Sequence, residues 1–481
     1  MQVLVGIDLG TTGVRVEVYD VKGKNLSVRK AQIVRQTAED WLYALRSAAP
    51  FEVLKDSAPD ERLVTVDGTS GTALLVDKWG DPVFSPLMYY DKAVDEYEEL
   101  KGYESAAELA KKGVAISPTS PLPKILRAIR SSPEEFKNVR WVISPASWIL
   151  YKLHFRRGEI WENVCMDCAN ALKFGEDISS ASWFTPLFED AGVSLDILPD
   201  IVECGSEIGE ARGELAENMR LSGARLFHGM TDGNASAIAT GCIRPGDFGI
   251  GCGTTTVPKY VCEEIKAHPA IYYHKHPVQG YLAGAASSTC GMLEWFSDKV
   301  FGIPIEESFS LAEKIEPGSE YMYFPQGDRS PFDDPSMGAA LIGLWLEDSQ
   351  RDEARGRIFR SCVVGITFLE YYYISLFEEL FGRRIGEVKL AGGATRNHLW
   401  NKLRASIYGR PVKVLEKQVA IGALIPVALK LGLYRDPDEA TDTLLKVIER
   451  IEPDPVLGAR YQADRDLFME RWKTLQEMYH L

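Results

Sequence analysis

The sequence predicts an α/β protein of two domains, and three observations carry that reading. GIDLGTTGVRVEV, residues 6 to 18, returns as GIGCGTTTVPKYV, residues 249 to 261, with 7 of 13 positions identical at an offset of 243 residues. Both copies are followed by stretches in which short apolar strands alternate with helical patterns, the layered α/β signature. The chain has 481 residues of which 45% are hydrophobic, enough to bury a large core and to divide into two or three domains.

Each copy of the repeat reads as a β-hairpin. An apolar lead-in meets a Gly-Thr-Thr turn, and beyond it residues such as Val14, Val16 and Val18 alternate with the period of two expected of a strand. Backbone N–H groups at a glycine turn, helped by threonine hydroxyls, can ring an anion. Gly10, Thr11 and Thr12 in the first copy, and Gly253, Thr254 and Thr255 in the second, are therefore expected to bind phosphate. Two unrelated hairpins are the plain alternative, since such turns are common, but two copies in register favour a shared ligand. One mismatch is informative: Asp8 of the first copy is Gly251 in the second. A carboxylate beside a phosphate turn repels its ligand unless a divalent cation lies between, which assigns Asp8 to Mg²⁺, through a water.

Between the hairpins, strands are expected at Leu63 to Val66 and Ala73 to Val76, and helices around Ala106 to Lys112 and Ser147 to Leu153. After the second hairpin come a long apolar helix from Ile358 to Phe381, a strand in VKLAGG at 388 to 393, and helices in RNHLWNKLRASIYG and AIGALIPVALKLG. The tail from Ala459 to Leu481 reads as a surface helix docked through Leu467, Trp472, Leu475 and Met478.

Two stretches carry chemistry. HGMTDGNASAIATG, 228 to 241, sets Asp232 ahead of a helix of small residues just before the repeat restarts. Asp in that place either caps the helix or, lying between two phosphate turns, accepts the proton of an attacking hydroxyl. LAGGATRNHLW, 390 to 400, runs from strand through a double glycine into a helix. There Gly392, Gly393 and Ala394 leave backbone open to a flat ring, although a tight connection needing small residues explains them as well. It is not a P-loop, because no Gly-Lys-Ser/Thr follows.

Other classes are disfavoured. The formal charge is −15 without a basic stripe, which argues against nucleic acid. No stretch approaches the roughly 20 apolar residues that span a bilayer, so a soluble, unexported protein without a membrane partner is expected. Eight scattered cysteines fit a reducing compartment, with the cytoplasm as default. Cys165 and Cys168 have zinc or redox spacing but no matching second pair, so ordinary thiols are the better reading. His274 and His276 lack a completing ligand and are expected to be solvated strand residues.

These motifs, in this order, resemble the FGGY family of carbohydrate kinases within the sugar kinase, chaperone and actin superfamily. IDLGTT resembles its first phosphate motif, TDGNASAIATG its catalytic-Asp motif, GIGCGTTT its second phosphate motif and LAGGATRNHLW its adenosine motif. EKQVAIGALIPVALKLG, 416 to 432, resembles its late helix, and MGAALIGLWLEDSQRDEARGRIFRSCVVGITF its mid-domain stretch. The resemblance implies two actin-like (ribonuclease H-like) domains around a central cleft that closes on its ligands. It places a sugar-binding domain at 1–244, an ATP-binding domain at 245–440 and a helical tail at 441–481 packed on the second domain. ATP and Mg²⁺ are the implied cofactors, Asp232 the catalytic base, and Asn397 joins Gly392 to Ala394 at the nucleotide.

The pattern departs from the family at the sugar. DGTSGTALLVD stands where Gln-Met-His or Gln-Arg-Glu is usual, putting Thr69, Ser70 and Gly71 at the substrate-contact positions, with a plain turn as the alternative for the last two. MYYDKAVDE keeps Asp91 without a matching arginine, and Asp232 and Gly233 complete the implied contacts. With DCANALKF, 167 to 174, these features look most like the D-ribulose kinase subgroup, then D-xylulose. Another small sugar or polyol, a chaperone-like or actin-like ATPase, and an inactive sugar sensor are the alternatives, and a homodimer is left open.

Overall fold

The structure, a computed structural model, describes residues 1–50, 52–344, 351–416 and 418–480. The chain forms two compact units. The first comprises Met1–Ala239, Tyr273–Tyr281 and Gln418–Leu445, and the second Thr240–Tyr272, Leu282–Lys417 and Lys446–Leu481. Against the expected bounds of 1–244 and 245–440, the segments Tyr273–Tyr281 and Gln418–Leu445 pack with the first unit. The expected late helix, Val419–Lys430, returns to the first unit, because its apolar surface is covered by the helix Asp232–Ala239 and by the sheet. The approach is backbone to backbone: a Cβ on Gly422 would stand 1.9 Å from the carbonyl oxygen of Ala235. The small residues of both helices allow it.

In the first unit a six-stranded sheet runs Glu207–Glu210, Arg225–Thr231, β4 (Arg62–Gly68), β1 (Val3–Leu9), β2 (Gly13–Asp20) and β3 (Asn25–Gln32). The first hairpin is as expected, with β1 and β2 antiparallel and the Gly10 N–H donating to the Gly13 carbonyl at 3.0 Å. β3, NLSVRKAQ, is largely exposed and carries Arg29 and Lys30, which suit an edge strand by discouraging further pairing. β1 and β4 are buried on both faces and pair in parallel, as does Arg225–Thr231 with β4. Three carboxyl ends thus lie side by side, the position where open α/β sheets bind ligands.

In the second unit the strands Val447–Ile451, Val412–Leu415, Val388–Ala391, Phe248–Cys252 and Thr255–Cys262 are neighbours in that order. The second hairpin is again antiparallel, and Val388–Ala391 pairs in parallel with Phe248–Cys252. The long helix begins earlier than its apolar pattern, at Arg351, and ends at Phe381. Residues 345–350 of the mid-domain stretch and Lys417 of the late-helix motif lie outside the described residues.

The tail also differs from expectation. It opens with Val447–Ile451 as a strand paired to Val412–Leu415, and only then forms the helix Pro455–Tyr479. That helix docks through Tyr461, Phe468 and Trp472, whose spacing of seven and four holds one face. Leu467 and Met478 are 41% and 62% exposed, because the aromatic stripe takes the buried face one residue further round.

Candidate active site

Two apolar strands end on an acid: Val-Gly-Ile-Asp at 5–8 and Val-Thr-Val-Asp at 64–67. The parallel register sets Asp8 opposite Asp67, and Thr231 opposite Gly68, so Asp232 follows at the same edge. Three carboxylates meet there. Asp67 is fully buried, and no protein N–H or O–H reaches either of its oxygens. It lies near enough to Asp8 to hydrogen-bond once one of them is protonated. Burial, then the charge of Asp232, pushes the Asp8 carboxyl up to about 6, with Arg15 opposing. Burial, then Asp8 and Asp232, holds Asp67 well above the usual carboxylate range. These are the marks of a place short of positive charge.

Mg²⁺ fits that deficit. Among the described residues no three or more His, Cys, Asp or Glu form a ready metal cage. Mg²⁺ does not need one, since it is commonly held by one or two carboxylates with water and phosphate oxygens. Asp67 went unassigned in the sequence reading. The signal was its place at the end of an apolar strand, matching Asp8.

Asp232 is the first residue of the helix Asp232–Ala239 and is half-buried. Its capping role is displaced by Thr231, whose Oγ1 accepts from the Asn234 N–H at 3.2 Å. Asp232 Oδ1 accepts from the Gly233 N–H at 2.7 Å. Around Gly233 the space is open, with no atom within 4 Å of where a Cβ would stand.

Thr69, Ser70 and Gly71 follow β4 directly, with Gly71 at φ +80°. Thr69 Oγ1 donates to Thr72 Oγ1 at 2.9 Å, and Ser70 Oγ is buried with no protein partner. Asp91 is tied to its own loop, accepting from the Met88 N–H at 2.8 Å. What joins these segments is Lys124, another residue the sequence reading passed over. It is 3% exposed, and its Nζ donates to the carbonyls of Gly71 at 3.1 Å and Met88 at 2.6 Å, with Asp91 nearby. Desolvation lowers its ammonium to about 8. Thr11 Oγ1 reaches the Tyr89 hydroxyl of the same loop at 3.2 Å. The first glycine-threonine turn and the expected substrate positions are thus one connected surface of the first unit.

The second unit gathers the other set. Gly253 closes its turn by donating to the Thr255 carbonyl at 3.2 Å, and Thr254 and Gly253 are exposed at its tip. Gly392, at φ +130°, sits against the end of the same strand, where a Cβ would stand 2.3 Å from the Cys252 carbonyl oxygen, so only glycine fits. The loop 393–395 is fixed from below: Arg404 Nη1 donates to the Ala394 carbonyl at 3.2 Å and Asn401 Nδ2 to the Thr395 carbonyl at 2.8 Å. Asn397 acts as the cap of the helix His398–Tyr408, its Oδ1 accepting from the Trp400 N–H at 2.9 Å.

His274 and His276 are buried, not solvated, and His276 Nδ1 accepts from the Val278 and Gln279 N–H groups at 3.0 Å. A short turn folds back on the ring and takes it out of water. Cys168 lies against Cys204 rather than Cys165, in a cavity of about 240 Å³ that Lys275 and Lys430 also line. Nearby Glu176 is fully buried with neither oxygen hydrogen-bonded, and burial first, then Cys168 and Asp167, pushes it up to about 9.

The folded protein thus holds a proton at Glu176 that the unfolded chain, with the ordinary value of 4.5, has lost. Stability from this group is complete below about pH 4.5 and falls as pH rises toward 9. Glu176→Gln is therefore expected to raise Tm at pH 8.5 more than at pH 5. An equal Tm difference at both values would remove the charge argument.

A phosphotransferase that uses an alcohol as acceptor accounts for this set: carboxylates at strand ends, glycine-threonine turns and an open strand-to-helix loop on an actin-like ATPase fold. The FGGY family of carbohydrate kinases, N-terminal domain, matches residues 3–239, and its C-terminal domain matches residues 250–429. The chain belongs to the FGGY family of carbohydrate kinases. It is 23% identical to a xylulose kinase of Lactococcus lactis, over 100% of this chain and 98% of that protein. It is 22% identical to an autoinducer-2 kinase of an Enterobacter species, over 99% and 94%. Its fold matches ligand-bound xylulose kinase of Lactobacillus acidophilus with a TM-score of 0.86 at 18% identity, over 100% of this chain and 99% of that one. Among the described residues no helix is long and apolar enough to cross a membrane.

Proposed function

We propose that the protein transfers the γ-phosphoryl group of ATP to the primary hydroxyl of a ketopentose. The observation that carries this is Asp232, half-buried at a strand end, relieved of capping by Thr231 and beside the open space at Gly233. Asp232 takes the acceptor hydroxyl's proton and orients its oxygen for in-line attack. The loop Gly392 to Ala394 receives the nucleoside. Thr11, Thr12, Thr254 and Thr255, with the N–H groups of their turns, supply donors to phosphate oxygens. Mg²⁺, held at Asp8, supplies neutralising charge to the phosphates when bound. Thr69, Ser70, Gly71 and Asp91 line the acceptor side, kept in place by Lys124.

D-Ribulose is the acceptor favoured by the small contacts Thr69, Ser70 and Gly71. D-Xylulose is the second reading, supported by relatives named xylulose kinase. The test is Mg²⁺-dependent ADP release with D-ribulose, D-xylulose, glycerol, gluconate or no sugar. The expected result is a kcat/KM at least tenfold higher for one ketopentose than for glycerol or gluconate. Equal rates with and without sugar would overturn the kinase reading, and a preference for glycerol or gluconate would overturn the ketopentose.

A further inference from the structure

Asp67 is not used by the mechanism above, and its surroundings are unusual. It occupies the last but one position of β4, the middle of three adjacent parallel strands, with β1 on one side and Arg225–Thr231 on the other. Its register partner is Asp8, so both side chains leave the sheet on the same face at the same edge. The side chain is 0% exposed, and neither oxygen receives a hydrogen bond from any protein donor. A buried carboxylate without donors is rarely left so, because the lost hydration has to be replaced by something. The nearby cation does not do this: Arg15 is directed to Glu17 at 3.5 Å. The Thr65 hydroxyl, two residues earlier on the same face, makes no hydrogen bond either.

We infer that Asp67 is a second carboxylate of the divalent-cation site, acting with Asp8 to hold the metal that accompanies the nucleotide. The inference rests on the kinase reading and on Asp8 as a metal residue. A cation on the Asp8–Asp67 edge would meet two carboxylates from neighbouring strands and leave its other positions to water and phosphate, the ligand set Mg²⁺ accepts. The site would then be strand-borne and rigid, with Asp232 free for the acceptor proton.

The test is Mn²⁺ binding followed by electron paramagnetic resonance, in the presence of ADP, on the wild type, Asp67→Asn, Asp67→Ser and Asp8→Asn, with Tm recorded for each. Asp67→Asn is expected to weaken Mn²⁺ by about tenfold or more, as Asp8→Asn does, without lowering Tm in metal-free buffer, since it replaces a buried carboxyl whose charged form burial disfavours with a neutral group of the same size. Asp67→Ser, read by itself if the Asn variant does not fold, gives the same loss. Wild-type Mn²⁺ affinity in a folded Asp67 variant, with affinity lost in Asp8→Asn, overturns the role of Asp67 alone. A raised KM for the sugar in that case makes it an acceptor contact. Unchanged affinity in Asp8→Asn as well overturns the metal site on which the inference stands, whether or not sugar-dependent ADP release persists.

Discussion

Asp232→Asn is expected to lower kcat for sugar phosphorylation by about 10²–10⁴-fold, while Tm and ADP affinity stay close to wild type. The separation is clean because of where the helix cap lies. Thr231 Oγ1 already accepts from the Asn234 N–H, and Asp232 Oδ1 accepts from the Gly233 N–H next to it, a bond that the Asn carbonyl oxygen can also take. The substitution keeps size and removes the carboxylate's charge together with its capacity to accept a proton. The control is Thr231→Val, which removes the cap; its expected effect is a loss of stability of about 1 kcal/mol. If Asp232→Asn retains full kcat, or loses activity only through unfolding, Asp232 is not the base.

Arg404→Ala is expected to destabilise the second unit by about 3–5 kcal/mol and to weaken ADP binding in whatever protein remains folded. Arg404 and Glu370 are both 0% exposed, joined by two bonds of 2.9 and 2.7 Å, and the Tyr408 hydroxyl adds a third to Glu370 at 2.5 Å. Removing the guanidinium strands a buried carboxylate, which costs far more than an exposed ion pair is worth. The same guanidinium holds the Ala394 carbonyl, so the loop proposed to receive the nucleoside loosens with it. Lysine would not rescue, since it lacks the planar fork that serves Glu370 and Ala394 together. Replacing Arg404 with Met and Glu370 with Leu together should recover much of the stability and none of the loop support. Unfolding at the wild-type Tm in Arg404→Ala would show that the pair is not what the burial implies.

The two hairpins, the long helix near 358–381, the strand at 388–391 and the helix after it were legible in the sequence, because hydrophobic periodicity and glycine turns are local signals. Asp8 and Asp232 stand out in the sequence too, each at a break between an apolar run and a turn or a helix, and the roles proposed for them await the tests above. What the sequence left open was decided by register and packing. Asp67 becomes notable only when β4 lies parallel to β1 and sets it opposite Asp8. Lys124 reads as one more charge on an amphipathic helix until the turn at Gly71 and the loop at Met88 turn their carbonyls onto its ammonium. The helix Val419–Lys430 lies in the chain between two segments of the second unit, Leu282–Lys417 and Lys446–Leu481, yet belongs to the first, because at Gly422 it meets the backbone of Ala235. Local pattern determines which segments are strands and helices. Which distant segments share a face, and hence which buried charges must answer one another, is set by long-range pairing, where one glycine or one register decides between alternatives that the pattern leaves equal.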